Sequence, residues 1–369
     1  MGLFWVATEA KTGLIIGDLP DLDVATVKSV IGRFDTTSGT LPIPSAPENW
    51  DRATLPGAAH LILLMDNPAD PTHGIPLWGA RITGRERTEG DTITLTLATI
   101  ESYLDARYMG DYAPVSVGQN TLISVIVNTW VTTGTNGGLP LRIVTSGADT
   151  PNSRTWANLD NKPVYSVLQD LMGSTGGPEW TFGWEWQSNP ERITPVFYVG
   201  ARLGVAVPVG QLPNATFEMP GPVKSFKYKE NYASGKGANV VIASSSGTTT
   251  ARPQSTPQTF VDALRPTIEH RFTPSTGVSD VPALTTYAAS ALAAMKTGTN
   301  GVELSAIMAE APQLGVDWSV GDDIGYQIGV TGFVPSVPRG LIGVARAIGF
   351  QIDISTTPVI TPILSGTGL

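Results

Sequence analysis

"GARITG", residues 79–84, returns 265 positions later as "VARAIG", residues 344–349, with Ala80 matching Ala345, Arg81 matching Arg346 and Gly84 matching Gly349. Upstream of each copy stands a glycine followed by a strand-like run, "PGAAHLILLM" (56–65) and "VGDDIGYQI" (320–328), with Gly57 and Gly321 at an offset of 264 (321 − 57). Both copies continue through a Pro/Gly-rich loop and end on an alternating strand, "TITLTL" (92–97) and "PVITPI" (358–363). A duplicated pattern at so large a spacing predicts two copies of one small β-module in a single chain.

Period two dominates the rest of the sequence. Ile93, Leu95 and Leu97 alternate with Thr92, Thr94 and Thr96, the mark of a strand with one buried face. "VELSAIMAE", "GANVVIASS" and "SFKYKENY" read as further strands. Four helices are expected. The first is 99–110, with Thr99 as N-cap and Ile100, Tyr103, Leu104 and Tyr108 inward. The second, 120–131, turns in Leu122, Val125, Ile126 and Trp130. In the third, 161–173, Pro163 sits in the first turn and Val164, Val167, Leu168 and Leu171 form the stripe. The fourth, 279–298, is capped by Asp280 and Gly298, with Leu284, Tyr287, Ala291, Leu292 and Met295 inward. The expected fold class is mainly β with an α+β insertion. Two related small β-barrel domains flank it: 1–110 as the first barrel with its exit helix, 111–218 as the insertion, and 219–369 as the second barrel. That last part carries its own inserted loop and helix at about 247–299. The polar stretch 244–258 is expected as a long loop or arm.

Composition narrows the function classes. Of 369 residues only 15% are charged, and the formal net charge is −9. So acidic a chain, without a basic run, is no nucleic-acid reader, and so weakly charged a surface suits a subunit covered by neighbours. There is no cysteine, which removes disulfides, thiolate catalysis and cysteine metal sites. The opening "MGLFWVATEAKTG" has no signal-peptide pattern, and no apolar run reaches about 18 residues. Neither export through a cleaved leader nor membrane insertion is expected.

No catalytic, cofactor or metal site is predicted. His60, His73 and His270 are scattered. No nucleophile elbow occurs, "ASSSG" (243–247) being only similar in composition, and "SGKGAN" (234–239) reads as a hairpin turn rather than a phosphate loop. The acidic pairs in "DLDV" (21–24) and "GDD" (321–323) read as turn chemistry rather than a Ca²⁺ site. The stretch "WTFGWEW" (180–186) is the one candidate platform. As a strand it turns Trp180, Phe182, Trp184 and Trp186 to one face and Glu179 and Glu185 to the other. Strand geometry sets those two glutamates roughly 20 Å apart, too far for a glycosidase pair at about 5 to 9.5 Å. Four aromatics amount to roughly 600 to 1,000 Å², more than a monomer leaves bare. The expected role is therefore core, buried by the helix at 163–172, with "TPVFYVG" (194–200) as hairpin partner.

In order, "GLIIGDLPDLDVATVKSVIGRFDTTSGTLPIPSAPENW", "LILLMDNPADPTHGIPLWGARITG", "GDTITLTLATIESYLDARYMGD", "VLQDLMGSTGGPEWTFGWEW", "GVDWSVGDDIGYQI" and "GVARAIGFQIDI" together resemble the baseplate hub, or tail-associated minor tail protein, of long-tailed siphovirus-type phages, especially those of actinobacteria. The resemblance implies two related barrels with inserted parts and a homotrimer at the virion tail tip, synthesised and assembled in the host cytoplasm. It implies a hub connecting the sixfold distal tail ring or tube to the threefold tip and helping to close or gate the tail channel. Its partners would be the distal tail protein ring or tail tube and the tail-tip, fibre or receptor-binding proteins. Longer relatives carry peptidase, lysozyme or receptor-binding extensions, and none is expected after "PILSGTGL". The alternative is a host-wall carbohydrate-binding or glycan-cleaving tail protein using Trp180, Trp184 and Trp186.

Overall fold

The structure is a computed structural model and describes residues 2–87, 89–174, 176–208, 210–233, 236–245, 252–274, 280–329 and 340–365. The chain separates into two compact units, Met1–Ser225 with Leu304–Ile363, and Phe226–Glu303 with Leu364–Leu369.

The first unit is mainly β. One sheet has six antiparallel strands in the order Ile15–Asp18, Leu3–Glu9, Ala59–Met65, Ile75–Arg87, Thr92–Thr99, Thr36–Pro42. In a second sheet Thr216–Met219 pairs with Asp323–Ile328, Asp323–Ile328 with Leu341–Asp353, and Leu341–Asp353 with both Val359–Leu364 and Thr26–Val30. The repeat read from sequence is visible in the hydrogen bonds. In each copy a short strand is followed by a 13-residue strand, Ile75–Arg87 or Leu341–Asp353, and then the alternating strand. Gly57 donates its N–H to the Ile82 carbonyl at 2.8 Å, and its counterpart Gly321 donates to Ala347, the counterpart of Ile82, at 2.6 Å. Both glycines have positive φ, 72° and 104°, which explains the residue type. His60 lies opposite Arg81, and Asp323 opposite Arg346.

Alternation works as expected in Thr92–Thr99, where Ile93, Leu95 and Leu97 are buried between exposed threonines. Ala59–Met65 is buried along its whole length, so it has packing on both faces, as continuous apolar runs do. The segment Thr26–Val30 was not legible in the sequence. Although it sits between two strands of the first sheet in sequence, it pairs with Gly349–Asp353, and Thr26 Oγ1 lies 3.1 Å from Asp353 Oδ1.

Also in the first unit, helices Gln119–Trp130 and Val164–Met172 pack on a sheet ordered Glu179–Gln187, Arg192–Gly200, Arg142–Ser146. The second of these helices buries Val164, Val167, Leu168 and Leu171, as expected, although Pro163 is the N-cap rather than a first-turn residue. Three expectations need correction. Ile100–Ala106 is a 3-10 helix, and the Thr99 side chain makes no cap bond. It follows a strand without a break, so the chain turns tightly. In Gln119–Trp130 the buried set is Leu122, Ile123, Ile126 and Val127, whereas Val125 is exposed. Leu122 and Ile126 are inward as expected and Trp130 packs half-buried on the core, so of the expected stripe only Val125 faces out.

In the second unit a three-stranded sheet, Gln258–Thr259, Val240–Ala243 and Glu269–Phe272, packs on helix Val281–Met295 through Val241, Ala243, Leu284 and Ala288. Asp280 caps that helix, accepting from the Ala283 N–H at 3.0 Å. Tyr287, expected inward, is 45% exposed, whereas Leu284 is buried and Leu292 and Met295 pack against the core as expected. The hairpin expected at 234–239 is absent: Val223–Asn231 and Val240–Ala243 belong to different sheets, and residues 234–235 lie outside the described residues. Of the expected arm at 244–258, residues 246–251 also lie outside them, while Ser245 and Ser255 are tied to the Pro253 and Ala243 carbonyls.

The two equivalent glycines should differ in tolerance. A Cβ at Gly57 meets nothing within 4 Å, whereas one at Gly321 falls 2.5 Å from the Leu203 carbonyl oxygen. Gly57→Ala should cost about 1 kcal/mol for its backbone angle alone, and Gly321→Ala should cost clearly more, measured as urea midpoints of the two variants.

Candidate functional site

Strand Glu179–Gln187 pairs with Arg192–Gly200 in the expected hairpin, Trp180 opposite Val199 and Trp186 opposite Ile193. Its aromatic face serves two cores at once. Trp180, 0% exposed, and Phe182, 8% exposed, enter the core formed by helices Gln119–Trp130 and Val164–Met172, where Trp180 stacks on Phe197 and Phe182 meets it edge-on. Trp184 and Trp186 are half-buried on the first sheet, beside Val6, Ile62, Leu64 and Ile193. Trp184 lies so close over Gly79 that a Cβ there would overlap its indole, and it meets the His60 ring edge-on at 5.5 Å. Trp186 donates its indole N–H to the Gly74 carbonyl at 2.7 Å and packs on His73 at 4.7 Å. The stripe is a seam between two packed parts, and Trp180 offers no face to a sugar.

The glutamates on the opposite face are fully engaged too. Glu179 accepts from both terminal nitrogens of Arg346 and from the Leu203 N–H at 2.8 Å. Arg346 also donates to the carbonyls of Leu203, at 2.9 Å, and Gly321, at 3.0 Å. Burial pushes the Glu179 carboxyl up, but the Arg346 and Leu203 hydrogen bonds outweigh it and hold the group below its ordinary value. Glu185 is held by Arg142, Nε to Oε1 at 2.8 Å. Each glutamate has its own arginine, so the two do not form an acid–base pair.

The histidines are dispersed. His60 is buried and held neutral, its pKa lowered to about 3 by burial and by the Arg81 charge. His73 lies 2.8 Å from Asp70 and 3.2 Å from Glu191, and the Asp70 hydrogen bond leads the upward shift of its pKa. His270 stacks on Phe272. Among the described residues no group of three or more His, Asp or Glu is placed to hold a metal ion. Asp322 accepts the Ser319 N–H within its own turn, as expected of "GDD", while Asp322 and Asp323 also accept the N–H groups of the distant Val205 and Val207.

A half-open cleft of about 580 Å³ lies within the first unit. It lies where Ile75–Gly79, the polar face of the aromatic strand and the loop 314–320 approach one another. Glu101 is part of its wall. This residue is 3% exposed, and its Oε2 has no hydrogen-bond partner. Burial raises its pKa to about 7, against the downward pull of the Thr99 hydroxyl. Nothing in "TIESYL" signals a buried acid, because the 3-10 turn and the sheet above it decide which side chains face inward.

This architecture has counterparts among known proteins. No protein-family model and no curated protein matches the sequence. Solved structures do match in fold. A tail protein of Neisseria meningitidis has a TM-score of 0.59 at 11% identity, over 99% of this chain and 97% of that one. A prophage tail protein of Shewanella oneidensis has a TM-score of 0.58 at 8% identity, over 98% of both chains. A PdpA–VgrG complex of Francisella reaches 0.55 at 9% identity, over all of this chain and 58% of that one. The chain therefore has the fold of phage tail and VgrG-related proteins.

Two outcomes follow from the charges. Replacing Arg346 by Met removes the partner of Glu179 and two carbonyl contacts, and should cost roughly 2–4 kcal/mol. Glu179→Gln, which keeps the shape, should cost less by chemical denaturation. The second outcome concerns pH. Glu101 titrates above its ordinary 4.5, so its burial becomes costly as pH rises from there to about 7. His60 titrates below its ordinary 6.5, so its burial becomes costly as pH falls from there to about 3. Between 4.5 and 6.5 the two slopes oppose. Glu101→Gln should therefore unmask a stability that rises with pH in that window by about 1.4 kcal/mol per unit, read from denaturation midpoints across pH.

Proposed function

We propose that the chain is a structural, non-catalytic subunit of a phage tail tip: a homotrimeric hub that connects the sixfold distal tail ring or tube to the threefold tip and helps close the tail channel. One observation carries the reading. Two strand triplets in one polypeptide share their order, a 13-residue middle strand and the Gly57 and Gly321 hydrogen bonds, so three chains about an axis would present six similar surfaces. On this reading the two triplets belong to two related barrel domains, within 1–110 and 219–369, with 111–218 inserted between them. The fold likeness to tail proteins supports the class of protein, and the low charge of the chain fits a subunit covered by neighbours. The partners are the tail ring or tube above and the tail-tip, fibre or receptor-binding proteins below, in the virion.

The glycan-binding alternative has no observation in its favour, since its tryptophans are spent on packing. The hub reading predicts a particle of about three times 38.9 kDa by light scattering, with a sixfold ring at one end in electron-microscopic averages. A chain that stays monomeric both alone and when mixed with its purified tail ring would overturn it.

A further inference from the structure

The cleft carries an unbalanced charge. Among the described residues, Glu101 is the one charged side chain in its wall, and neither Lys nor Arg lines it. Three partly buried carboxylates of this unit each have a cation: Glu179 has Arg346, Glu185 has Arg142 and Asp323 has Arg202. Glu101 is more deeply buried than these and has none. Thr181, 7% exposed and in the same wall, has a hydroxyl without a hydrogen-bond partner, as the Glu101 Oε2 has none. Buried polar atoms in folded proteins are nearly always paired, and a desolvated carboxylate without a counter-charge is costly. The remaining wall is largely apolar, with Leu77, Phe182, Leu203, Leu314 and Phe350. The volume of about 580 Å³ falls within the range of small-molecule sites.

We propose that this cleft binds an organic cation, an ammonium or guanidinium on an apolar stem, with its charge on Glu101 and a second N–H donated to the Thr181 hydroxyl. Charge complementarity selects the cation and the apolar wall selects the stem. The same chemistry is available from a free amine or from a basic side chain of an adjoining protein. The site belongs to the single chain and does not depend on the hub reading.

The test titrates the full-length protein with benzylamine and benzamidine, with benzyl alcohol as the neutral control, by calorimetry and NMR at pH 8 and pH 5. Saturable binding of the cations and not of the alcohol is expected, at least about tenfold weaker at pH 5 because the carboxyl is then protonated. Glu101→Gln should weaken binding about tenfold or more, as loss of a buried charge partner does. Thr181→Val, which keeps the volume, should weaken it severalfold and serves if the Gln variant does not fold. Tighter binding of a blocked Gly-Arg-Gly peptide than of agmatine assigns the cation to a protein side chain, and the reverse assigns it to a free amine. Equal binding of benzyl alcohol, no binding of any cation, or cation affinity unchanged in both variants overturns the proposal.

Discussion

Four large aromatic side chains on one face of a nine-residue strand must be kept from water, and the first unit is organised around that requirement. Trp180 and Phe182 fill the core of helices Gln119–Trp130 and Val164–Met172, while Trp184 and Trp186 reach over the first sheet. Because one strand is shared by two cores, neither can shift without disturbing the other. The burial of roughly 150–250 Å² per aromatic makes the seam a substantial part of the stability of the unit. Gly79 is the accommodation on the opposing strand, the place where a side chain would displace the indole.

The opposite face of the same strand ties its sheet to the second copy of the repeat through Glu179 and Arg346. Here the repeat has diverged. Arg346 is a junction for Glu179, Leu203 and Gly321, whereas its counterpart Arg81 lies 5.5 Å over the Tyr103 ring beside a buried neutral histidine. Equivalent positions in the two copies thus keep the same residue and a common backbone bond while their side chains do different work. Such divergence is what two modules in one chain permit and two identical subunits do not. On the proposed reading, it would let one copy meet the insertion and leave the other free for neighbours.

In the cleft the pairing with arginine seen at Glu179, Glu185 and Asp323 fails. Glu101 is enclosed without a cation, and its cost is tolerated because the carboxyl can take up a proton near neutrality. A fold optimised for packing alone would place an apolar residue there, so the retained acid singles out this cavity among the features of the molecule.

Much of the architecture follows from the sequence by itself. The alternation in 92–97 fixes a half-buried strand, the Val164 to Leu171 stripe fixes a helix face, and the duplicated glycine, strand and "AR" pattern foretells two like strand triplets, because these signals depend only on local period and turn geometry. Other features were decided by tertiary contact. The Thr26–Val30 strand crosses to the distant 349–353 segment, Ile100–Ala106 tightens into a 3-10 turn, and Tyr287 stays in solvent. Glu101 became a buried acid and Arg346 a junction only when segments distant in sequence were packed together. The physical reason is that burial and charge pairing belong to the neighbours a side chain acquires, which local periodicity does not encode.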